Sequence, residues 1–145
     1  MKNPDESDNT VLLQISWDLD ALGGLLDQIE ALSEARSWAP SLTNKTMLVL
    51  EELIVNALTH GGRQIESGVV RVHIDERQEG LMLEIYDNGD AFDPLVFPAP
   101  DLDADLDSRP VGGLGVFLTM QLSSSLSYER IDGFNHVSLC LKASP

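Results

Sequence analysis

Cysteine is almost missing from this chain: Cys140 is the single one in 145 residues. One thiol forms no intrachain disulfide, and such usage fits a reducing compartment. Cys140 lies in an alternating apolar run, so a buried, inert thiol is expected. Positive charge is also scarce, with 9 Lys and Arg against 24 Asp and Glu and a net charge of −15. That balance excludes a nucleic-acid surface, which needs clustered cations on phosphates, and docking on an anionic membrane. A polyanion is still bindable where a divalent cation neutralises the local repulsion. No apolar run approaches the roughly 18 residues of a membrane span. The opening MKNPDESDNT is polar and lacks the apolar core of a signal peptide. A soluble, cytoplasmic protein that binds neither nucleic acid nor membrane is therefore expected.

Several motifs are absent as well. His60, His73 and His136 have no metal-ligand spacing, and no serine lies in a nucleophile elbow. The aspartates of DLDADLDS alternate like the start of an EF-hand, but the sixth-position glycine is missing and position twelve is Gly112 rather than Glu. A solvated acidic loop is the reading that remains.

What is present is periodicity. Residues 1–9 are expected to be disordered and 10–145 to form one domain. Val11, Leu13, Ile15 and Trp17 alternate as one face of a strand. Asp18 or Asp20 caps a helix running to about Trp38, with Leu22, Leu25, Leu26, Ile29 and Leu32 as its stripe. Pro40 breaks it, and Ser41 or Thr43 caps a second helix that stops at Gly61-Gly62. GVVRVHIDERQEGLMLEIYDNG reads as a hairpin turning at Gly80. Residues 89–111 show no period and hold Pro94, Pro98, Pro100 and Pro110 with a run of aspartates. Loops of that length in compact domains are usually lids or binding loops, or disordered. GGLGVFLTMQLSS opens a third helix, and a second hairpin turns at Asp132-Gly133. The order predicts an α+β two-layer sandwich, with a mixed, mostly antiparallel sheet and helices on one face.

Three segments carry chemistry. In the second helix Glu52 and Asn56 are four apart and project together, with Thr59 and His60 near the end of that face. Alone, this pattern is the wet side of an amphipathic helix. Asp87 ends a strand two residues before Gly89, placing a carboxylate where backbone can approach a ligand; alone, it is a common turn. Gly112, Gly113 and Gly115 precede a helix whose first N–H groups and dipole favour an anion; alone, they are a flexible helix entry. The glycines are not a Walker loop, because no Gly-Lys-Ser/Thr follows, and no strand precedes them as in a Rossmann turn.

The order and spacing of the three segments change this. Glu-x-x-x-Asn on a helix, Asp-x-Gly after a strand, a long loop and Gly-Gly-x-Gly at a helix start resemble the N, G1 and G2 boxes of the GHKL, or Bergerat-fold, ATP-binding superfamily. EELIVNALTHG, DNGDAFDP, GGLGVFLTM and YERIDGFNHVSLCLK look most like its RsbW-like branch of anti-sigma-factor serine kinases. The resemblance covers nearly all of the chain after residue 10.

It implies an ATP-dependent protein serine/threonine kinase with ATP and Mg²⁺ as cofactors. By resemblance Glu52 is the general base and Asn56 the Mg²⁺ ligand. Asp87 accepts a hydrogen bond from the adenine amino group, where guanine offers a carbonyl, and Gly89 lets the backbone approach the base. Phe92 either covers the site or joins the core. Gly112, Gly113 and Gly115, with the amide of Leu114, cradle the phosphates. Residues 93–111 form the ATP lid, whose one cation, Arg109, either reaches a phosphate or is solvated. The implied partners are a STAS-type anti-anti-sigma protein, phosphorylated on serine, and a sigma factor that is sequestered; a homodimer is also expected. Asp90-Ala91 depart from the small residues common in relatives, and the lid carries far more acid than base. The alternatives are a regulatory module that binds nucleotide or partner without transfer, and a simple ATPase.

Overall fold

Alternation builds the first element. Val11, Leu13 and Ile15 turn toward the interior from β1 (Thr10–Ser16), while Leu12 and Gln14 face outward. The structure, a computed structural model, describes residues 9–60, 68–96 and 113–143, the side chains of 113–117 excepted. Asp18 caps α1 (Leu19–Ala35), its Oδ1 accepting from the Asp20 N–H at 3.0 Å. The helix ends short of the expected Trp38. Ser37 takes a φ of 56° and turns the chain aside, and the Trp38 indole donates to Glu76 Oε1 at 2.9 Å, tying the linker to the sheet.

The second helix, α2 (Pro40–His60), starts earlier than a cap at Ser41 or Thr43 requires. Pro40 occupies its first position, where a missing N–H costs nothing and φ is already helical. The Ala39 carbonyl accepts from the N–H groups of Leu42 and Thr43. The Gly61-Gly62 stop lies outside the described residues.

The remaining elements are β2 (Val69–Arg77), β3 (Gly80–Asp87), a 3₁₀ turn (Pro94–Val96), α3 (Gly113–Leu122), β4 (Ser124–Ile131) and β5 (Phe134–Lys142). They form a five-stranded sheet in the order β1-β2-β3-β5-β4. All four described pairings are antiparallel, where a mixed sheet was expected. Two tight hairpins account for part of this. Gly80 turns the first at a φ of 151°, where a Cβ would overlap the Leu141 carbonyl. Asp132 and Gly133 turn the second, both at positive φ, the backbone that two-residue hairpin loops demand.

Helices cover one face. Val72, Ile74, Leu83 and Leu139 from the sheet are fully buried with Ile29, Val49, Leu50 and Ile54 from α1 and α2. Burial of such side chains stabilises by about 1.5–3 kcal/mol each. On the opposite face Tyr86 stacks on His136, their centroids 4.2 Å apart, and His136 pairs with Glu84. Cys140 belongs to that outer face, so the expected burial is not observed. It is half-buried, and its Sγ lies 3.2 Å from Met82 Sδ. No described helix is long and apolar enough to cross a membrane.

Candidate functional site

The two-residue period of the sheet places the first site residue. On β3 the buried, helix-facing positions are Leu81, Leu83, Ile85 and then Asp87. On β5 they are Asn135, Val137, Leu139 and Leu141. Asp87 and Asn135 lie directly opposite in register, two polar residues in an otherwise apolar row. Both are buried, at 5% and 2% exposure. A buried polar pair is tolerated only when it is hydrogen-bonded.

The bonds are present. Asp87 Oδ1 accepts from the Gly89 N–H at 3.0 Å and from Asn135 Nδ2 at 2.9 Å. Asn135 Nδ2 also donates to the Asp90 carbonyl at 2.8 Å. Asn135 Oδ1 accepts from the Tyr128 hydroxyl at 2.6 Å and from the Phe92 N–H at 3.1 Å. Arg130 donates to the Gly89 carbonyl at 2.8 Å, and the Val69 N–H donates to Asn88 Oδ1 at 2.8 Å. Residues 87–92 are thus fastened from β2, β4 and β5. Asp87 Oδ2 has no hydrogen-bond partner among the described residues. Burial pushes the Asp87 carboxyl above its ordinary range, while the Asn135 and Gly89 bonds and the Arg130 charge pull it back.

Helix α2 supplies the second group. Asn56 is buried at 4% exposure, so it is not on a wet face. Its Nδ2 has no hydrogen-bond partner among the described residues, a loss worth about 1–3 kcal/mol for a buried donor. Glu52, one turn earlier, is half-buried. Burial first, and then the adjacent Glu51 carboxylate, push its carboxyl above the ordinary range. His60, at the end of the helix, stacks on Phe92, with centroids 5.0 Å apart and planes 17° from parallel. That stack joins the helix of Glu52 and Asn56 to the loop of Asp87, and it makes Phe92 a wall of the loop rather than a member of the central core.

Helix α3 packs against α2. Its first residues are Gly113, Leu114 and Gly115, so their backbone begins the helix as expected. Arg109, Gly112 and residues 97–111 of the expected lid lie outside the described residues, as do the aspartates of DLDADLDS. Residues 94–96 of that segment form the 3₁₀ turn. A cavity of about 430 Å³ bounded by Arg77, Gly80, Ser124 and Lys142 sits at the opposite end of β3 from Asp87 and shares no residue with this cluster.

Asn135, Arg130, Tyr128 and His60 are the members that motif reading left without a role. Strand phase was the available signal for Asn135: it falls on the apolar side of the alternation that Val137, Leu139 and Leu141 continue. Arg130 and Tyr128 are found only through pairing with β5. Among the described residues no three His, Cys, Asp or Glu side chains converge to hold a metal. A cation held by the amide oxygen of Asn56 would complete its shell with substrate and water, the manner in which Mg²⁺ is commonly held.

A family model described as a histidine kinase-like ATPase domain matches residues 15–141. The serine/threonine-protein kinase BtrW of Bordetella bronchiseptica is 27% identical over 139 residues, spanning 96% of this chain and 98% of its own length.

Proposed function

Because the chain belongs to the histidine kinase-like ATPase domain family, an ATP-binding family, we propose that it is an ATP-dependent protein serine kinase of the anti-sigma-factor type. It transfers the γ-phosphoryl group to a serine of a STAS-type anti-anti-sigma protein, sequesters a sigma factor, or does both. Similarity to a relative named as a serine/threonine-protein kinase supports the transfer. One observation carries the reading: the His60–Phe92 stack closes the helix of Glu52 and Asn56 onto the loop of Asp87.

The roles are those that the family resemblance implies, and the side chains are chemically suited to them. Asp87 offers Oδ2 to the amino group of adenine, and Gly89 admits the base against backbone. The amides that open α3 face the phosphates, at the positive end of the helix dipole; Gly112 and Arg109 are assigned there by resemblance. Asn56 fits the Mg²⁺-ligand role that the resemblance implies, because its amide oxygen is a hard donor of the kind Mg²⁺ takes, while its unmet Nδ2 donor suits a phosphate oxygen. Bound Mg²⁺ would neutralise triphosphate charge, which a chain of net charge −15 otherwise repels. Glu52 takes the proton of the incoming serine hydroxyl as the Oγ–phosphorus bond forms and the bond to the β–γ bridging oxygen breaks, leaving ADP. A carboxyl held above its ordinary range is the stronger base for that step.

The test is transfer of labelled phosphate from ATP to a purified STAS partner. Label on the partner's serine with wild type, and its loss in Glu52→Ala with nucleotide binding intact, supports the kinase. Nucleotide binding without transfer to any cognate partner overturns it in favour of a binding module. Phosphate release without partner labelling makes the protein an ATPase.

A further inference from the structure

The Asn135 amide makes four hydrogen bonds: Nδ2 donates to Asp87 Oδ1 and to the Asp90 carbonyl, and Oδ1 accepts from the Tyr128 hydroxyl and the Phe92 N–H. Every bonding site on the amide is used, so its orientation is fixed. We propose that Asn135 is the positioning residue of the base-reading carboxylate, occupying Asp87 Oδ1 so that Oδ2 alone is offered, and that it thereby selects a base edge that donates a hydrogen bond over one that accepts. This rests on the nucleotide reading of the site.

Selectivity depends on what a buried carboxyl does when it is not held. Burial favours the neutral acid. A neutral acid carries an O–H, which bonds a carbonyl edge as readily as a carboxylate bonds an amino edge. Discrimination between the two edges then disappears. Asn135 Nδ2 and the Gly89 N–H are both donors, and both point at Oδ1. They stabilise the ionised form and stop the carboxylate from exchanging its oxygens. Among the described residues, the remaining titratable or charged groups nearby are Arg130 and Tyr128 on β4, Asp90 in the loop, and His60 on α2 across Phe92. Of these, Arg130 is the one whose charge acts on Asp87. The same amide also holds the Asp90 carbonyl and the Phe92 N–H, so reading of the base and the course of the following loop depend on one side chain.

Asn135→Asp is the discriminating variant. It is isosteric and keeps the acceptor for Tyr128 and Phe92, but it replaces the donor facing Asp87 with a second carboxylate oxygen. Two facing carboxyl groups share a proton and titrate as a pair. Asn135→Ala, checked by circular dichroism, removes the donor without adding charge. Two readouts apply to each: the carboxyl carbon titration of Asp87 by NMR without nucleotide, and the affinities for ATP and inosine triphosphate by calorimetry at pH 7. The inosine nucleotide has a carbonyl where adenine has its amino group. Expected is an upward move of the Asp87 midpoint in both variants, and a fall of about tenfold or more in the ATP preference, mostly through lost ATP affinity. An Asp87 titration unmoved in both folded variants overturns the positioning role. An unchanged preference in both overturns the selectivity. Wild-type protein that binds neither nucleotide, with the Asp87 midpoint still shifted by the variants, overturns the nucleotide reading and the selectivity with it, while the hold of Asn135 on Asp87 stands.

Discussion

Replacing Asp87 by Asn is predicted to leave the ligand-free protein at least as stable at neutral pH and to remove most of its response to ATP. The side chain keeps its shape. Its oxygen can still accept from Gly89 and Asn135, but an amide nitrogen now stands where Oδ2 was and meets the adenine amino group donor to donor. A hydrogen bond to a charged group is worth about 1.5–3 kcal/mol, so affinity should fall roughly 10- to 150-fold. With nucleotide at about 100 times the wild-type Kd, binding adds about 2.7 kcal/mol to stability. A 30-fold loss leaves about 0.9 kcal/mol at the same concentration by that relation. For a chain of this size one kcal/mol moves Tm by about 4 °C. The ATP-induced shift should therefore drop from about 11 °C to about 4 °C.

The ligand-free protein moves the other way for an electrostatic reason. The Asp87 carboxyl is raised in the folded state, chiefly by burial. A raised group contributes stability below its unfolded pKa, and that contribution is lost as pH rises through the folded value. At neutral pH the wild type therefore holds a buried charge that Asp87→Asn lacks, and the difference should fade on acidification. Differential scanning fluorimetry with and without ATP and Mg²⁺, from pH 5 to pH 8, measures both effects. A variant that keeps the wild-type ATP shift refutes the base-reading role. A ligand-free variant that melts well below wild type at pH 7 refutes the electrostatic account.

Glu52→Gln should lower phosphoryl transfer by about 10²–10⁴-fold with nucleotide affinity little changed, as measured by single-turnover labelling. Because Glu52 is raised, wild-type transfer should decline as pH falls through a value above the ordinary glutamate range, and the variant's residual rate should lack that limb. Gly80→Ala, whose Cβ would overlap the Leu141 carbonyl at a φ of 151°, should cost at least about 2 kcal/mol in urea unfolding. Leu83→Ala, at a fully buried site, should cost about 2–5 kcal/mol by the same measurement.

The fold was legible where one residue period dominates. Strand faces such as Val70, Val72 and Ile74 follow from alternation, and the Asp132-Gly133 turn from its dipeptide. The errors fall where a tertiary contact overrides a local signal. Helix α1 stops at Ala35 because Trp38 reaches Glu76 on β2, 38 residues away. Cys140 misled because its neighbours Leu139 and Leu141 are apolar while its own phase is outward. An apolar run shows only that a strand is well covered on one side. Which side each residue takes is fixed by counting from the buried end.

The same phase rule bears on which members of the candidate site the sequence displays. Glu52, Asn56 and Asp87 stand in patterns that local spacing records, whereas Asn135 is 48 residues from Asp87 and no pattern within its own strand names its partner. What the strand does record is a violation. Asn135 and Asp87 each occupy an inward position at a strand end, where apolar residues otherwise continue the row. An unpaired polar side chain there would cost about 1–3 kcal/mol, so each such residue implies another group able to satisfy it. Antiparallel pairing brings two strand ends together, and two violations at adjoining ends satisfy one another. Asn56 is a third inward polar residue, on a helix, and its donor is unmet among the described residues. By the same reasoning it calls for an acceptor, and in the function proposed above a phosphate oxygen of the nucleotide fills that place.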